Sequence, residues 1–151
     1  MTTATKSRLN IKNIKIHNDM SEETLCFSAT IYFDGKKVGY ARNNGCGGCN
    51  RYDWDSREIR ETVEQWANEQ ETEFKFDVLD QLIDDIIQEY ETNKWLKRQC
   101  KKKVVFRLKG DKKGEWHLLN YPWCQKAVDF IEERYGDKVE CIANERFSPL
   151  T

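Results

Sequence analysis

Leu25, Phe27, Ala29, Ile31 and Phe33 alternate with Cys26, Ser28, Thr30 and Tyr32. A period of two turns one set inward and the other outward, so the stretch predicts a half-buried strand. Asp34-Gly35 follows at once, and Lys36 to Ala41 resume an extended pattern. Asp-Gly between two such runs predicts a tight hairpin, because both central residues tolerate positive φ. Upstream, Leu9, Ile11, Ile14 and Ile16 predict another strand, with the phase broken near Asn13.

The period then changes. Asp53 to Ser56 offer helix N-caps, and Asp55 with Glu58 has capping-box spacing. Ile59, Val63, Trp66 and Ala67 recur at helical spacing, which predicts a helix over about 56–70. A second helix opens at Asp77, where Leu79, Leu82, Ile83, Ile86, Ile87 and Tyr90 make a broad apolar face running to about Lys101. Val104, Phe106 and Leu108 alternate again, Gly110 to Gly114 read as a turn, and Trp116 to Leu119 complete a second hairpin. Pro122 suits a first helical turn. Cys124, Ala127, Val128, Ile131 and Tyr135 continue a helix that Gly136 stops. Val139, Cys141 and Ala143 predict a last strand. Strands and helices come in blocks, which predicts an α+β fold. The expected order is three strands, two helices, two strands, a helix and a strand, on a mostly antiparallel sheet. The chain's 151 residues fit a single domain over 1–151.

Charge changes the picture more than composition does. The formal net charge is only -1, from 25 Lys and Arg against 26 Asp and Glu. Residues 53–93 nevertheless hold 14 acidic and three basic groups, a local net of -11, whereas 94–113 hold ten basic and one acidic, a net of +9. Acids at the start of the second helix and Lys94, Lys97, Arg98, Lys101 and Lys102 at its end complement the helix dipole, each worth about 0.3–1 kcal/mol. Two functional readings go further. Glu58, Glu61, Glu64, Asp80, Asp84 and Glu91 fall on polar helical faces, where they could bind a basic partner or imitate nucleic-acid phosphates. The basic patch, with Trp95, Trp116 and Trp123 nearby, could instead bind nucleic acid. The sequence pI of about 6.2 weighs against that second reading.

One segment looks chemical. Asn43-Asn44-Gly45-Cys46-Gly47-Gly48-Cys49-Asn50 tolerates no regular element and reads as a loop. Cys46 and Cys49 form half of a common zinc pattern, but no second close pair completes it. No metal or other cofactor is therefore expected, with zinc kept as an alternative. Gly45, Gly47 and Gly48, flanked by Arg42 and Arg51, could present N–H groups to a phosphate. Neither a P-loop nor a dinucleotide fingerprint accompanies them. His17 and His117 lie in no nucleophile context, so no catalytic residue is assigned. No apolar run approaches the ~18 residues of a membrane span, and no apolar leader is visible. The expected location is cytoplasmic, with reduced cysteines.

The stretch from Leu25 to Gly48, with Asp34-Gly35-Lys36 and Asn43-Asn44-Gly45-Cys46-Gly47-Gly48, resembles a pattern in small uncharacterised proteins of plasmids, phages and bacterial mobile elements. Val104 to Leu108 with Asp111 to Gly114 is similar to their C-terminal part. The related loop carries His where this chain has Cys46. The resemblance implies no activity. Its context, by analogy, includes inhibitors of host defence systems such as anti-CRISPR proteins. The expectation is therefore a non-enzymatic interaction protein that works through its acidic helices on a larger protein or nucleoprotein complex, without a membrane. A ligand-binding module built on loop 43–50, for a metal or a nucleotide, is the alternative. Nucleic acid is a weaker candidate partner, and self-association between acidic and basic surfaces is another.

Overall fold

The computed structural model describes residues 8–72 and 75–150. The fold is α+β, with antiparallel sheets and helices, and it divides into two compact units between Gln88 and Glu89. Among the described residues no helix is long and apolar enough to cross a membrane.

The first unit is an antiparallel meander of β1 (Leu9–Ile16), β2 (Phe27–Phe33), β3 (Lys36–Asn43) and β4 (Arg51–Trp54), in that order. The β2–β3 turn has Asp34 at φ 52° and Gly35 at φ 82°, the double positive φ that a two-residue hairpin with native twist requires. Arg8 clamps the turn, donating from Nε and Nη2 to the Asp34 carboxylate at 3.0 and 3.1 Å. The phase break near Asn13 is a β-bulge: Lys12 pairs with Thr30 and Lys15 with Ser28, and Asn13 sits at φ 54°. One face of the sheet supplies Leu9, Ile11, Phe27, Ala29, Ile31, Phe33, Val38 and Ala41 to the core. Helix α1 (Arg57–Asn68) covers this face with Val63, Trp66 and Ala67, the Trp66 ring standing edge-on to Phe33 at 5.3 Å. The first half of α2 (Val78–Gln99) adds Val78, Leu79, Leu82, Ile83 and Ile87. Burying each of these aliphatic side chains stabilises the fold by about 1.5–3 kcal/mol, far more than any exposed ion pair on the same helices.

The second unit is a three-stranded antiparallel sheet ordered β6-β5-β7, from β5 (Val104–Leu108), β6 (His117–Leu119) and β7 (Val139–Ile142). Helix α3 (Gln125–Tyr135) packs Ala127 and Ile131 against Val104, Phe106 and Ile142 on one face. Val105 faces the other way, onto Leu96 and Cys100 of the α2 C-terminal segment and Ala143, which precedes the short α4 (Asn144–Phe147).

Four local features differ from the sequence expectations. The Arg51–Trp54 strand was not expected, because Asp53, Asp55 and Ser56 read as caps. The cap itself is Ser56, whose Oγ accepts from Ile59 N at 3.2 Å. Helix α3 starts at Gln125 behind an extended Cys124, so Pro122 lies before it rather than in its first turn. In β7 the register shifts between Arg107 and Leu108 of its partner, so Val139 and Ile142 turn inward and Cys141 is exposed. The short α4 has no periodic signal of its own.

Candidate functional site

Asn43, at the end of β3, organises the Gly-rich loop. Its side chain is buried, as an amide must be matched on all sides to tolerate burial. Oδ1 accepts from Thr24 Oγ1 at 2.7 Å and Gly45 N at 2.9 Å, and Nδ2 donates to Asn50 Oδ1 at 3.1 Å. The Gly45 carbonyl accepts from the N–H groups of Glu22, Glu23 and Thr24 at 2.9–3.3 Å. Gly47 N donates to Thr24 Oγ1 at 3.2 Å, and Cys46 N to Asn44 Oδ1 at 3.2 Å. The N–H groups of Gly45, Cys46 and Gly47 are therefore already used within the protein. Gly45 also has a steric role. At φ 84°, an added Cβ would stand 2.4 Å from the Met20 carbonyl oxygen and 2.9 Å from Cys26 Cβ.

The far end of the loop is tied to helix α2. Asn50 N donates to Asp80 Oδ2 at 3.1 Å, Asn50 Nδ2 donates to Asp84 Oδ1 at 2.9 Å, and the Tyr52 hydroxyl donates to Asp80 Oδ1. Asn50, Tyr52 and Asp80 border a cleft of about 340 Å³, lined also by Cys49, Glu64, Asn68 and Asp77. The electrostatics are those of an acid-rich pocket. Burial, reinforced by the hydrogen bond to Asp80 and its charge, pushes the Tyr52 phenol above its usual range. Burial, with the charges of Asp80 and Asp85, raises the Asp84 carboxyl, which the Asn50 hydrogen bond partly offsets. The charges of Asp77 and then Asp80 hold the Cys49 thiol in its protonated form. A phosphate would meet the same negative field.

Cys46 and Cys49 are both exposed thiols. Among the described residues no group of three or more His, Cys, Asp and Glu is placed to hold a metal ion.

The predicted acidic residues do not behave alike. Glu61 pairs with Arg57 and Glu64 with Arg60, each at 3.2 Å one helical turn apart. Asp80 and Asp84 are the loop anchors just described. Glu58 is exposed, as is Asp85, which the sequence reading did not single out. Glu91 is half-buried and belongs to the second unit. Lys94, Lys97, Arg98, Lys101 and Lys102 are exposed on the α2 C-terminal segment and the turn after it, and among the described residues none has an ion-pair partner. Sequence reasoning missed Tyr52 and Asn50 as partners of Asp80 and Asp84, because that link joins residues some 30 positions apart. The helical spacing of Asp80 and Asp84 on one face was the available signal. Comparison of the chain with family models, with curated proteins and with solved structures finds no match.

Proposed function

We propose that the chain is a non-enzymatic interaction protein that engages a larger protein or nucleoprotein complex through charged surfaces. The observation that carries this reading is that the polar groups joining loop 43–50 and β4 to α2 are committed to one another. Tyr52, Asn50, Asp80 and Asp84 fasten loop 43–50 to α2, so they hold the fold rather than await a substrate. Charges that are not so committed, Glu58 and Asp85 among the acids, stand outside it. The resemblance to small proteins of mobile elements supports a host defence complex as the setting, with the cytoplasm as the place.

Reversing Glu58, Glu61 and Asp85 to Lys tests the acidic helices without touching the loop anchors. Asp84 is left out, because its oxygen accepts from Asn50. Affinity capture from a host lysate, read by mass spectrometry, should recover a partner with the native chain and lose it with the triple reversal. Retention by the triple reversal, with loss on reversing Lys97, Arg98, Lys101 and Lys102, would move the site to the basic end of α2.

The cleft supports a second reading as a ligand site. Its lining by Cys49, Glu64, Asp77 and Asp80 favours a cation over a nucleotide. A thermal shift with zinc that disappears in Cys49→Ser would promote this reading above the first.

A further inference from the structure

The antiparallel register aligns side chains on the sheet face opposite α1. Residues paired across strands share a face, and successive rows are two residues apart except at the bulges, where Lys12 to Lys15 and Lys37 to Tyr40 span three. One row is Asn10, Tyr32 and Lys37. The next is Lys12, Thr30, Tyr40 and Asp53. The third is Lys15, Ser28, Arg42 and Arg51. Leu9, Ile11, Phe27, Ala29, Ile31, Phe33, Val38 and Ala41, at intervening positions, fill the core, so this face is the solvent side of the sheet.

Its chemistry is unlike that of the helices on the other side. The face carries Lys12, Lys15, Lys37, Arg42 and Arg51, and Asp53 is the one acid among the paired positions. Arg42 lies 3.9 Å from Asp53 and Lys37 3.5 Å from Asp55. Among the described residues Lys12, Lys15 and Arg51 have no ion-pair partner. Two aromatic rings lie among these cations. Tyr40 is 48% exposed, an unusual amount for a ring in an interior strand. Lys12 Nζ stands 4.5 Å from the Tyr32 centroid and Lys37 Nζ 4.4 Å from that of Tyr40. The rings occupy neighbouring strands one row apart, a diagonal spacing of about 7 Å. That is close to the repeat of an extended single strand whose bases stack on successive platforms.

We infer that the outer face of this sheet binds single-stranded nucleic acid, with Tyr32 and Tyr40 as stacking platforms and Lys12, Lys15, Arg42 and Arg51 as phosphate contacts. The inference rests on the reading of the chain as a binding protein and names one surface and one partner class. A face about 15 Å on each side covers two to four nucleotides. Duplex DNA is a poorer fit, because its grooves take a helix or a ribbon and leave no base face free to stack. Helix α1 and the first half of α2 pack on the opposite side of the sheet, so their acids lie farther from a strand laid across this face than the Lys and Arg beneath it.

The test is fluorescence anisotropy of a labelled oligothymidylate of about twelve nucleotides, titrated with the whole chain. Micromolar binding is expected at about 50 mM salt. Four phosphate contacts predict a loss of roughly 50-fold by about 200 mM. Lys15→Glu with Arg51→Glu should weaken binding at least tenfold, and Tyr40→Ala about tenfold. Tyr40→Phe should retain binding, because the ring and not the hydroxyl stacks. All of these are surface changes, and circular dichroism of each variant checks that the fold persists. No anisotropy change with the native chain would overturn the inference. So would Tyr40→Phe being as damaging as Tyr40→Ala, better competition by duplex or polyglutamate than by single strand, or loss only on reversing Lys97 and Arg98. Silence of the oligonucleotide with partner capture intact removes this inference and leaves the acidic-helix reading standing. Oligonucleotide binding with no captured partner supports the sheet face and removes the helices.

Discussion

Two buried asparagines do at residue scale what no apolar side chain could do. Asn43 closes the Gly-rich loop, and Asn144 closes the second unit. Asn144 is fully buried, accepts from Val105 N at 2.8 Å and donates to the Lys103 carbonyl at 2.9 Å. Its amide thereby joins the start of β5 to the turn that follows α2, matching a strand N–H and a turn carbonyl. Only an amide offers both a donor and an acceptor at that size. Asn144→Leu should therefore destabilise the protein by about 2–4 kcal/mol, since two buried backbone groups lose their partner. Urea unfolding measures it, and a loss below about 0.5 kcal/mol would mean that water replaces the amide.

At the scale of elements, periodicity was readable wherever an element buries a single face. The β2 alternation, the Asp34-Gly35 hairpin and the apolar stripes of α1 and α2 all depend on local spacing, and the structure has each of them. What escaped depends on distant partners. β4 is four residues long and exists because β3 offers it an edge, although Tyr52 and Trp54 at alternate positions were a faint sign. The β7 phase is set by a register shift in its pairing with β5. The candidate loop was legible as a loop from its Gly and Asn content. Its fastening was not legible, because Thr24, Asn50 and Asp80 come from three separate elements or connections. The outer sheet face was in view as alternating polar residues, but its basic character appears only once four strands are in register. The loop's glycines permit a comparison. Gly45 and Gly48 both have positive φ, 84° and 87°, yet an added Cβ at Gly48 meets nothing within 4 Å. Ala at either site costs about 1–2 kcal/mol in left-handed strain. Only Gly45→Ala adds a backbone clash, so its melting temperature should fall well below that of Gly48→Ala. Equal melting temperatures would show that the Met20 segment gives way without cost.

For the whole molecule, the near-zero net charge conceals segregation, with -11 over residues 53–93 and +9 over 94–113. The first of these sets the sign of the salt response. Asp77, Asp80, Asp84 and Asp85 crowd the start of α2, and the Asp84 carboxyl is raised from its usual value, by burial first and then by the charges of Asp80 and Asp85. A folded-state pKa above the unfolded one means that the contribution is full below the unfolded pKa and is lost as pH rises through the folded value. At neutral pH the ionised Asp84 therefore opposes folding. Salt screens the part of that cost that comes from Asp80 and Asp85, with the Debye length shrinking from about 30 Å at 0.01 M to about 3 Å at 1 M. The exposed pairs Arg57–Glu61 and Arg60–Glu64 lose strength over the same range, but each is worth only about 0.3–0.5 kcal/mol. The melting temperature should thus rise with salt at neutral pH. Asp84→Asn keeps an oxygen for Asn50 Nδ2 and removes the charge, so it should melt higher than the native chain at about pH 7 and respond less to salt. The two should converge as the pH falls and the native carboxyl takes up its proton. Calorimetry at two salt concentrations and two pH values reads all of this. A melting temperature that falls with salt would show that the ion pairs outweigh the acidic crowd.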